Sequence, residues 1–229
     1  LLLYYMLERY FYKDQIEVGL DEAGRGPLFG RVYVGAAILP QDDSFNHSLM
    51  RDSKKLNERT RLIAFDYIKE YAIDWVIHYK DENYIDKHNI FAANYNAMHE
   101  AVQKLLVKPD HILVDGNYFK PCMYDDDYIN HTTVVKGDDK YTPIAAASIL
   151  AKVGRDKYID ELCDKYPLLD EYYGIKSNKG YGAKKHMDGI TTHGISPWHR
   201  KTFGICKHHT VNKKLTKHFK WSKNKIELN

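Results

Sequence analysis

The sequence predicts an α/β protein of one domain: five strands with helices between and after them, and room for a helical extension. Three observations predict it. Short apolar or alternating runs at residues 15–21, 31–39, 73–80, 111–117 and 132–139 are bounded by Gly, Pro, Asp and Asn, as strands are. Longer stretches between and after them carry apolar residues at helical spacing. A length of 229 residues, 44% hydrophobic and 28% charged, supports one sizeable core with an appendage.

In chain order, IEVGLD alternates apolar and other residues and runs into a glycine turn, which makes 15–21 a strand. RVYVGAAIL, 31–39, is a second extended run, closed by the turn signals of PQDDS. In LNERTRLIAFDYIKEY, Asn57 is placed to cap a helix whose inner face carries Leu62, Phe65 and Ile68. IDWVIHYK, 73–80, is the third strand, and a longer helical pattern runs from Tyr84 to Leu106, stopped by Pro109. HILVDGN, 111–117, is nearly all apolar and ends in Asp-Gly, as a buried strand does. TTVVKGDD, 132–139, is the fifth strand. Thr142 and Pro143 start the next helix, since Thr can accept from an orphan amide and Pro at the first helical position gives up no hydrogen bond. It runs to about Pro167; Ala145, Ala146, Ala147 and Ser148 permit close approach to a sheet, and Ser148, Lys152 and Arg155 follow at steps of four and three.

The formal net charge of +3 is local: residues 207–229 hold seven lysines against one glutamate, and residues 1–206 hold 27 basic against 30 acidic side chains. Composition by itself therefore does not call for nucleic acid. Cys122, Cys163 and Cys206 lie far apart without Cys-x-x-Cys spacing, which argues against a disulfide framework and a structural zinc site. No run approaches the ~18 apolar residues that would span a bilayer. The apolar opening LLLYYMLERYFY has no basic lead and no small-residue cleavage site, a poor fit to a secretory signal. A cytoplasmic protein is expected, or a nuclear one in a eukaryotic or viral host. Met6 would make a more natural start than Leu1, so residues 1–5 need not be native.

Acids recur where strands end: Asp21 and Glu22 after the first, Asp115 after the fourth, and Asp138 with Asp139 before the long helix. Singly, each reads as a turn residue. Together, four carboxylates at one sheet edge suit hard divalent cations. Two such ions about 3.5 to 4 Å apart could serve the attacking and leaving oxygens of an in-line phosphoryl displacement. Alternation sends Asp21 and Glu22 to opposite faces, so a shared site requires the strand to end there and the backbone to turn, a freedom Gly24 and Gly26 would supply.

GLDEAGRGPLFG, DSKKLNERTR, ILVDGN, KGDDKYTPIAAASILAKVGRD, NKGYGAKKH and GISPWHRKTF resemble, in order and interval, the segments of ribonuclease HII, over residues 16 to about 206. The G-R-G turn is similar to type HII more than to type HIII, where a threonine is expected in place of Arg25 together with a further N-terminal domain. The resemblance implies a ribonuclease H-like fold, a mixed five-stranded sheet flanked by helices with a C-terminal helical extension, and a Mg²⁺- or Mn²⁺-dependent endonuclease of DNA replication and repair. Its substrates would be RNA in RNA/DNA hybrids and ribonucleotides embedded in duplex DNA, cut on the 5′ side to leave 3′-hydroxyl and 5′-phosphate ends. It assigns metal binding and catalysis to Asp21, Glu22, Asp115 and Asp138, the last preferred to Asp139 because it follows Lys136-Gly137. The chain is expected to be a monomer with an N-terminal extension (1–14), a catalytic domain that includes the C-terminal helical segment (15–206) and a basic tail (207–229).

Gly24, Arg25 and Gly26 match the family's sensor of the ribose 2′-hydroxyl, where bare backbone can approach the sugar. A tight turn needing positive φ would explain the glycines equally well. Tyr181 matches the tyrosine that stacks on the sugar following the ribonucleotide, although among nineteen tyrosines packing is the ordinary role. Lys176, Lys179, Lys184 and Lys185, in a stretch without acids, suit phosphate contacts or a solvated loop. Lys54 is a candidate for substrate binding; Lys55, Lys152, Arg155, His199 and Arg200 are candidates for phosphate contact or support. Ser148 and Lys152 could instead position Asp138 or its water. The remaining histidines, His208 and His209 included, read mostly as surface residues, and 122–131 as an exposed loop.

Two other readings stay open. Another nuclease of the same fold, acting on branched DNA, would share the carboxylates without needing G-R-G or NKGYG. A catalytically silent hybrid-binding module would not need the full acid set. In the tail, NKKLTKHF (212–219) has a leucine and a terminal aromatic reminiscent of sliding-clamp peptides but lacks their glutamine and paired aromatics; electrostatic affinity for duplex is the preferred reading.

Overall fold

A computed structural model describes residues 6–213. They fall into two units, one of residues up to Arg25 with Arg31–Lys157, the other of Gly26–Gly30 with residues from Tyr158 onward. The first holds a six-stranded sheet made of β1 (Glu17–Ala23), β2 (Val32–Ile38), β3 (Asp74–Lys80), β4 (His111–Asp115), β5 (Cys122–Tyr124) and β6 (Asp127–Val134), in the order β3-β2-β1-β4-β6-β5. β1 pairs antiparallel with β2 and parallel with β4, and β4 pairs parallel with β6, so the sheet is mixed as expected.

Strand alternation divides the apolar residues between two cores. Val18, Leu20, Val34, Ala36, Ile112 and Val114 face Ala97, Met98, Ala101 and Val102 of helix α2 (Glu82–Gln103). On the opposite face, Ala37 and Leu39 meet Ala64, Phe65 and Ile68 of α1 (Glu58–Tyr71) and Ala145, Ala146, Ile149, Leu150 and Val153 of α3 (Thr142–Lys165). α3 lies so close to the sheet that a Cβ on Gly19 would sit 2.1 Å from the Pro143 carbonyl carbon, and one on Gly35 2.1 Å from the Ala147 carbonyl oxygen. Two side-chain-free positions on neighbouring strands admit the helix backbone.

Several expected boundaries move. β1 continues through Ala23 because its pairing with β2 runs on to Ala23 and Tyr33. Residues 122–131 are no loop: β5 pairs antiparallel with β6 through a tight turn at Asp125, whose φ is 50°. This supplies the sixth strand and starts the last strand at Asp127, while Gly137–Asp139 forms a 3-10 turn. Asn57 caps α1 through Thr60 N–H as expected, but Leu62 is partly exposed and Ala64 fills the inner face. α2 starts at Glu82 and ends at Gln103, with a kink at Asn89, where φ is 66°. The Thr142 hydroxyl lies 2.9 Å from His47 Nδ1, which gives it a tertiary partner.

The second unit contains the end of α3, then α4 (Leu168–Tyr173), α5 (Ile175–Asn178) and α6 (Lys184–His193), which agrees with the expected C-terminal helices. Tyr173, Ile175, Ile190, Ile195 and Cys206 are buried. Among the described residues, no helix is long and apolar enough to cross a membrane. The three cysteines are free and buried. Residues 1–5 and 214–229, with Phe219, Trp221 and most of NKKLTKHF, lie outside the described residues.

Candidate active site

Asp21 and Asp115 stand at the same level on adjacent parallel strands, since the β1–β4 register pairs Leu20 with Val114. Asp21 faces α3. It is buried, accepts the Glu22 N–H at 2.7 Å and takes a hydrogen bond from the Ser148 side chain. Burial, then the charges of Glu22 and Asp115, push its carboxyl well above the usual carboxylate range. Ser148 reaches it because of the close α3 crossing: Gly35 is the register partner of Asp21, and the residue over Gly35 is Ala147. Ser53 in turn lies 3.0 Å from Ser148, oxygen to oxygen.

Glu22 takes the other face of β1, so the expectation that the strand ends between the two acids is corrected. Asn94 of α2 donates to Glu22 at 3.3 Å and Arg25 at 3.0 Å, and the Arg25 guanidinium stands 5.5 Å from the centre of the Phe91 ring. Asp115 accepts the Gly137 N–H at 2.7 Å, which ties the end of β4 to the turn carrying Asp138. Asp138 is buried; desolvation, then Asp115 and Asp52, raise its pKa to about 6. Asp139 points elsewhere and pairs with Lys55 at 2.6 Å. Lys54 feels the whole group: burial opposes its charge, but Asp21, Asp138, Asp52 and Asp115 together raise its pKa. A cavity of about 410 Å³ opens beside Glu22 and Asp115, lined in part by Phe91, Tyr95, Tyr118 and Lys120.

Among the described residues, no three His, Cys, Asp or Glu side chains are gathered at metal-ligand spacing. Glu22 is turned to Arg25 and Asp115 to the Gly137 amide. The donor chemistry nevertheless fits a hard divalent cation: all oxygen, from strand ends and a turn, with buried like charges that such a cation would neutralise.

The two glycines of G-R-G differ. Gly24 has φ of 92°, and a Cβ there would lie 2.2 Å from Arg155 Nε, so the fold itself demands glycine. Gly26 lacks positive φ, and a Cβ would meet Tyr181 Cε1 at an ordinary 3.7 Å, so the fold does not demand glycine there. Gly26 and Tyr181 both belong to the second unit, and Tyr181 is half-exposed.

Of the two roles open to the basic candidates, the contacts of Arg155 and Arg200 are those of support. Arg155 and Arg200 are buried, their Nε atoms donating to the Arg31 carbonyl at 3.3 Å and the Gly30 carbonyl at 2.8 Å, so both brace backbone. Lys152 pairs with Asp156 at 2.5 Å, and Ser148 serves Asp21, not Asp138. Lys176, Lys179 and Lys184 pair with Asp164, Asp160 and Asp188, so their charge is balanced locally. Among the remaining histidines His47, His111 and His186 are buried, exceptions to the surface reading given for most of them, and His199, a support candidate, is buried too. Sequence reasoning missed Ser53, Asp52 and Asn94; the first two lie in or beside DSKKLN, but nothing in the sequence marks Asn94 as facing Glu22.

The family model described as Ribonuclease HII matches residues 18–209. A "Ribonuclease HII" of Parabacteroides distasonis is 50% identical over 200 residues, covering 87% of this chain and 96% of that one. The crystal structure of the ribonuclease H2 from Pyrococcus horikoshii OT3 superposes with a TM-score of 0.69 at 24% identity, over 88% of this chain and 99% of that one. Bst-RNase HIII in complex with Mn²⁺ superposes with a TM-score of 0.57 at 16% identity, over 94% of this chain and 72% of that one. These two likenesses are of fold.

Proposed function

This chain belongs to the ribonuclease HII family of metal-dependent endoribonucleases acting on RNA/DNA, and on that premise we propose that it incises duplex DNA on the 5′ side of embedded ribonucleotides as well as RNA in hybrids. The observation that carries the reading is the placement of Asp21 and Asp115 on neighbouring strand ends, coupled in charge to each other and to Glu22 and Asp138, on the strand that leads into Gly24-Arg25-Gly26.

Asp21, Glu22, Asp115 and Asp138 would hold two Mg²⁺ or Mn²⁺ ions; a fold relative has been solved with Mn²⁺. When bound, such ions supply Lewis-acid stabilisation of the charge that builds on the phosphate oxygens during in-line hydrolysis, which leaves 3′-hydroxyl and 5′-phosphate ends. The chain's residues do the rest. Ser148 donates to Asp21 and favours its charged form against burial, and the Gly137 amide donates to Asp115 and orients it. Glu22 would exchange Arg25 for the cation, freeing the guanidinium for the substrate strand. Gly26, bare of side chain where the fold does not require it, admits a sugar, and Tyr181 offers a ring to the sugar that follows.

The test is a duplex carrying one ribonucleotide, incubated with Mg²⁺, alongside an all-DNA duplex and an Asp138→Asn variant. Incision at the ribonucleotide by wild type alone is expected. Equal cutting of the all-DNA duplex would refute sugar reading, and full activity of the variant would refute the role of Asp138.

A further inference from the structure

Within the second unit, hydrogen bonds join two buried imidazoles. The Ser196 amide donates to His199 Nδ1 at 2.9 Å, with Ser196 Oγ 2.7 Å from the same nitrogen. Because Nδ1 accepts, a neutral His199 carries its proton on Nε2, which lies 3.0 Å from His186 Nε2. His186 must then accept on Nε2 and keep its proton on Nδ1, 2.8 Å from the Tyr181 carbonyl oxygen. Each ring nitrogen thus has a defined role. Both rings are fully buried, and burial lowers both pKa values, His199 the further, as a neutral pair requires. Tyr173 packs against both rings, 4.8 Å from His199 and 6.1 Å from His186 between centres, while its hydroxyl donates to the Gly194 carbonyl.

The chain of contacts returns to the glycine turn. The backbone N–H of Arg200, next to His199, donates to the Leu28 carbonyl at 2.8 Å, and Arg200 Nε donates to the Gly30 carbonyl at 2.8 Å. Leu28 N–H donates to the Gly180 carbonyl at 2.9 Å. Gly26–Gly30 and Gly180-Tyr181 are therefore joined directly on one side and through Arg200, His199 and His186 on the other.

We propose that His186 and His199 are positioning residues that hold Tyr181 at a fixed reach from Gly26, so that this unit gauges the step from a ribonucleotide to the deoxy sugar after it. The proposal rests on the reading of Gly26 and Tyr181 as sugar-sensing residues. A junction differs from a continuous hybrid by the missing 2′-hydroxyl on the following sugar, so a loosened Tyr181 costs incision at a junction more than within a hybrid.

The experiment compares kcat/KM on a duplex with one embedded ribonucleotide and on a continuous RNA/DNA hybrid. Tyr181→Ala and His186→Ala are each expected to lower the junction-to-hybrid ratio about tenfold, the scale of one stacking contact. The double variant should fall no further than Tyr181→Ala. His186→Asn, whose side-chain amide can donate from near the Nδ1 position, should recover the ratio to within about twofold of wild type. An unchanged ratio in His186→Ala, or a double variant showing the product of the two effects, overturns the proposal and leaves the Tyr181 reading standing. An unchanged ratio in Tyr181→Ala overturns that reading, and the proposal with it. Nitrogen-15 spectra of the wild-type imidazoles give a check without substitution: protons on His199 Nε2 and His186 Nδ1, with a scalar coupling across the Nε2–H···Nε2 bond, are expected. The opposite tautomers or a doubly protonated ring would overturn the arrangement.

Discussion

Ala147 leaves no room for a side chain on Gly35: a Cβ there would lie 2.1 Å from the Ala147 carbonyl oxygen. That crossing sets where the next residue, Ser148, meets Asp21. Gly35→Ala is expected to cost about 3 kcal/mol or more, because helix backbone cannot yield as a flexible side chain can. A lowered urea midpoint with unchanged slope would report it. A variant as stable as wild type would mean the crossing is loose.

Ser148→Ala removes the hydroxyl that favours the charged form of Asp21, so its pKa should rise further above the usual range. A proton then competes better with a cation. Mn²⁺ affinity at neutral pH, measured by calorimetry, is expected to weaken roughly three- to tenfold, the scale of one charge-assisted hydrogen bond. Unchanged affinity would remove Asp21 from the ligand set.

Asp138→Asn should separate stability from activity. Burial, then Asp115 and Asp52, raise the folded pKa to about 6, above the unfolded value of about 3.9. The folded state therefore binds the proton more tightly, and stability falls as pH rises from about 4 to about 6, then stays lower. An amide has no such penalty. In chelator, the variant is expected to be more stable than wild type by about 1–2 kcal/mol at pH 7 and equal to it near pH 4, while failing to incise. Equal stabilities at pH 7 would contradict the buried like-charge cluster.

Gly24→Ala and Gly26→Ala should diverge. The first forces a Cβ to 2.2 Å from Arg155 Nε at a φ of 92° and is expected to destabilise by more than about 2 kcal/mol. The second meets only ordinary contact and should stay within about 0.5 kcal/mol of wild type. Its incision at an embedded ribonucleotide is expected to drop at least about tenfold, the worth of one hydrogen bond lost to the 2′-hydroxyl. Full incision by a folded Gly26→Ala would show that no sugar comes close there.

The imidazole pair gives an acid limb of stability. Burial depresses both folded pKa values below the unfolded value of about 6.5, so the unfolded chain takes up these protons first as pH falls. Their contribution is complete above about 6.5 and is lost below it. The difference in denaturation midpoint between wild type and His186→Asn should narrow from pH 7 to pH 5. A pH-independent difference would mean that His186 does not titrate with unfolding.

Much of this was legible in the sequence because it depends on local pattern. Strand runs, the Asn57 cap and acids at strand ends follow from alternation and turn chemistry. β5 was not legible: CMY is short and the DDD after it reads as solvent-exposed, whereas its strand character comes from pairing with β6. The continuation of β1 through Glu22 depends on β2, which no local signal reports. The lysines after Gly174 suggested a free basic face because their partners, Asp160 and Asp164, belong to another helix. His186 and His199 are thirteen residues apart and declare nothing until folding brings their rings together.

Gly26–Gly30 belongs with the C-terminal residues although the chain on either side of it belongs with the sheet. During synthesis those five residues emerge early, and Leu28 and Gly30 must wait for Gly180, Trp198 and Arg200 before their backbone groups are satisfied. Such delayed, long-range closure is intrinsically slow. Ribosome-bound intermediates should therefore carry a finished sheet while Gly26–Gly30 still lack their partners, and a premature stop after Lys157 would leave the Leu28 and Gly30 backbone groups without them.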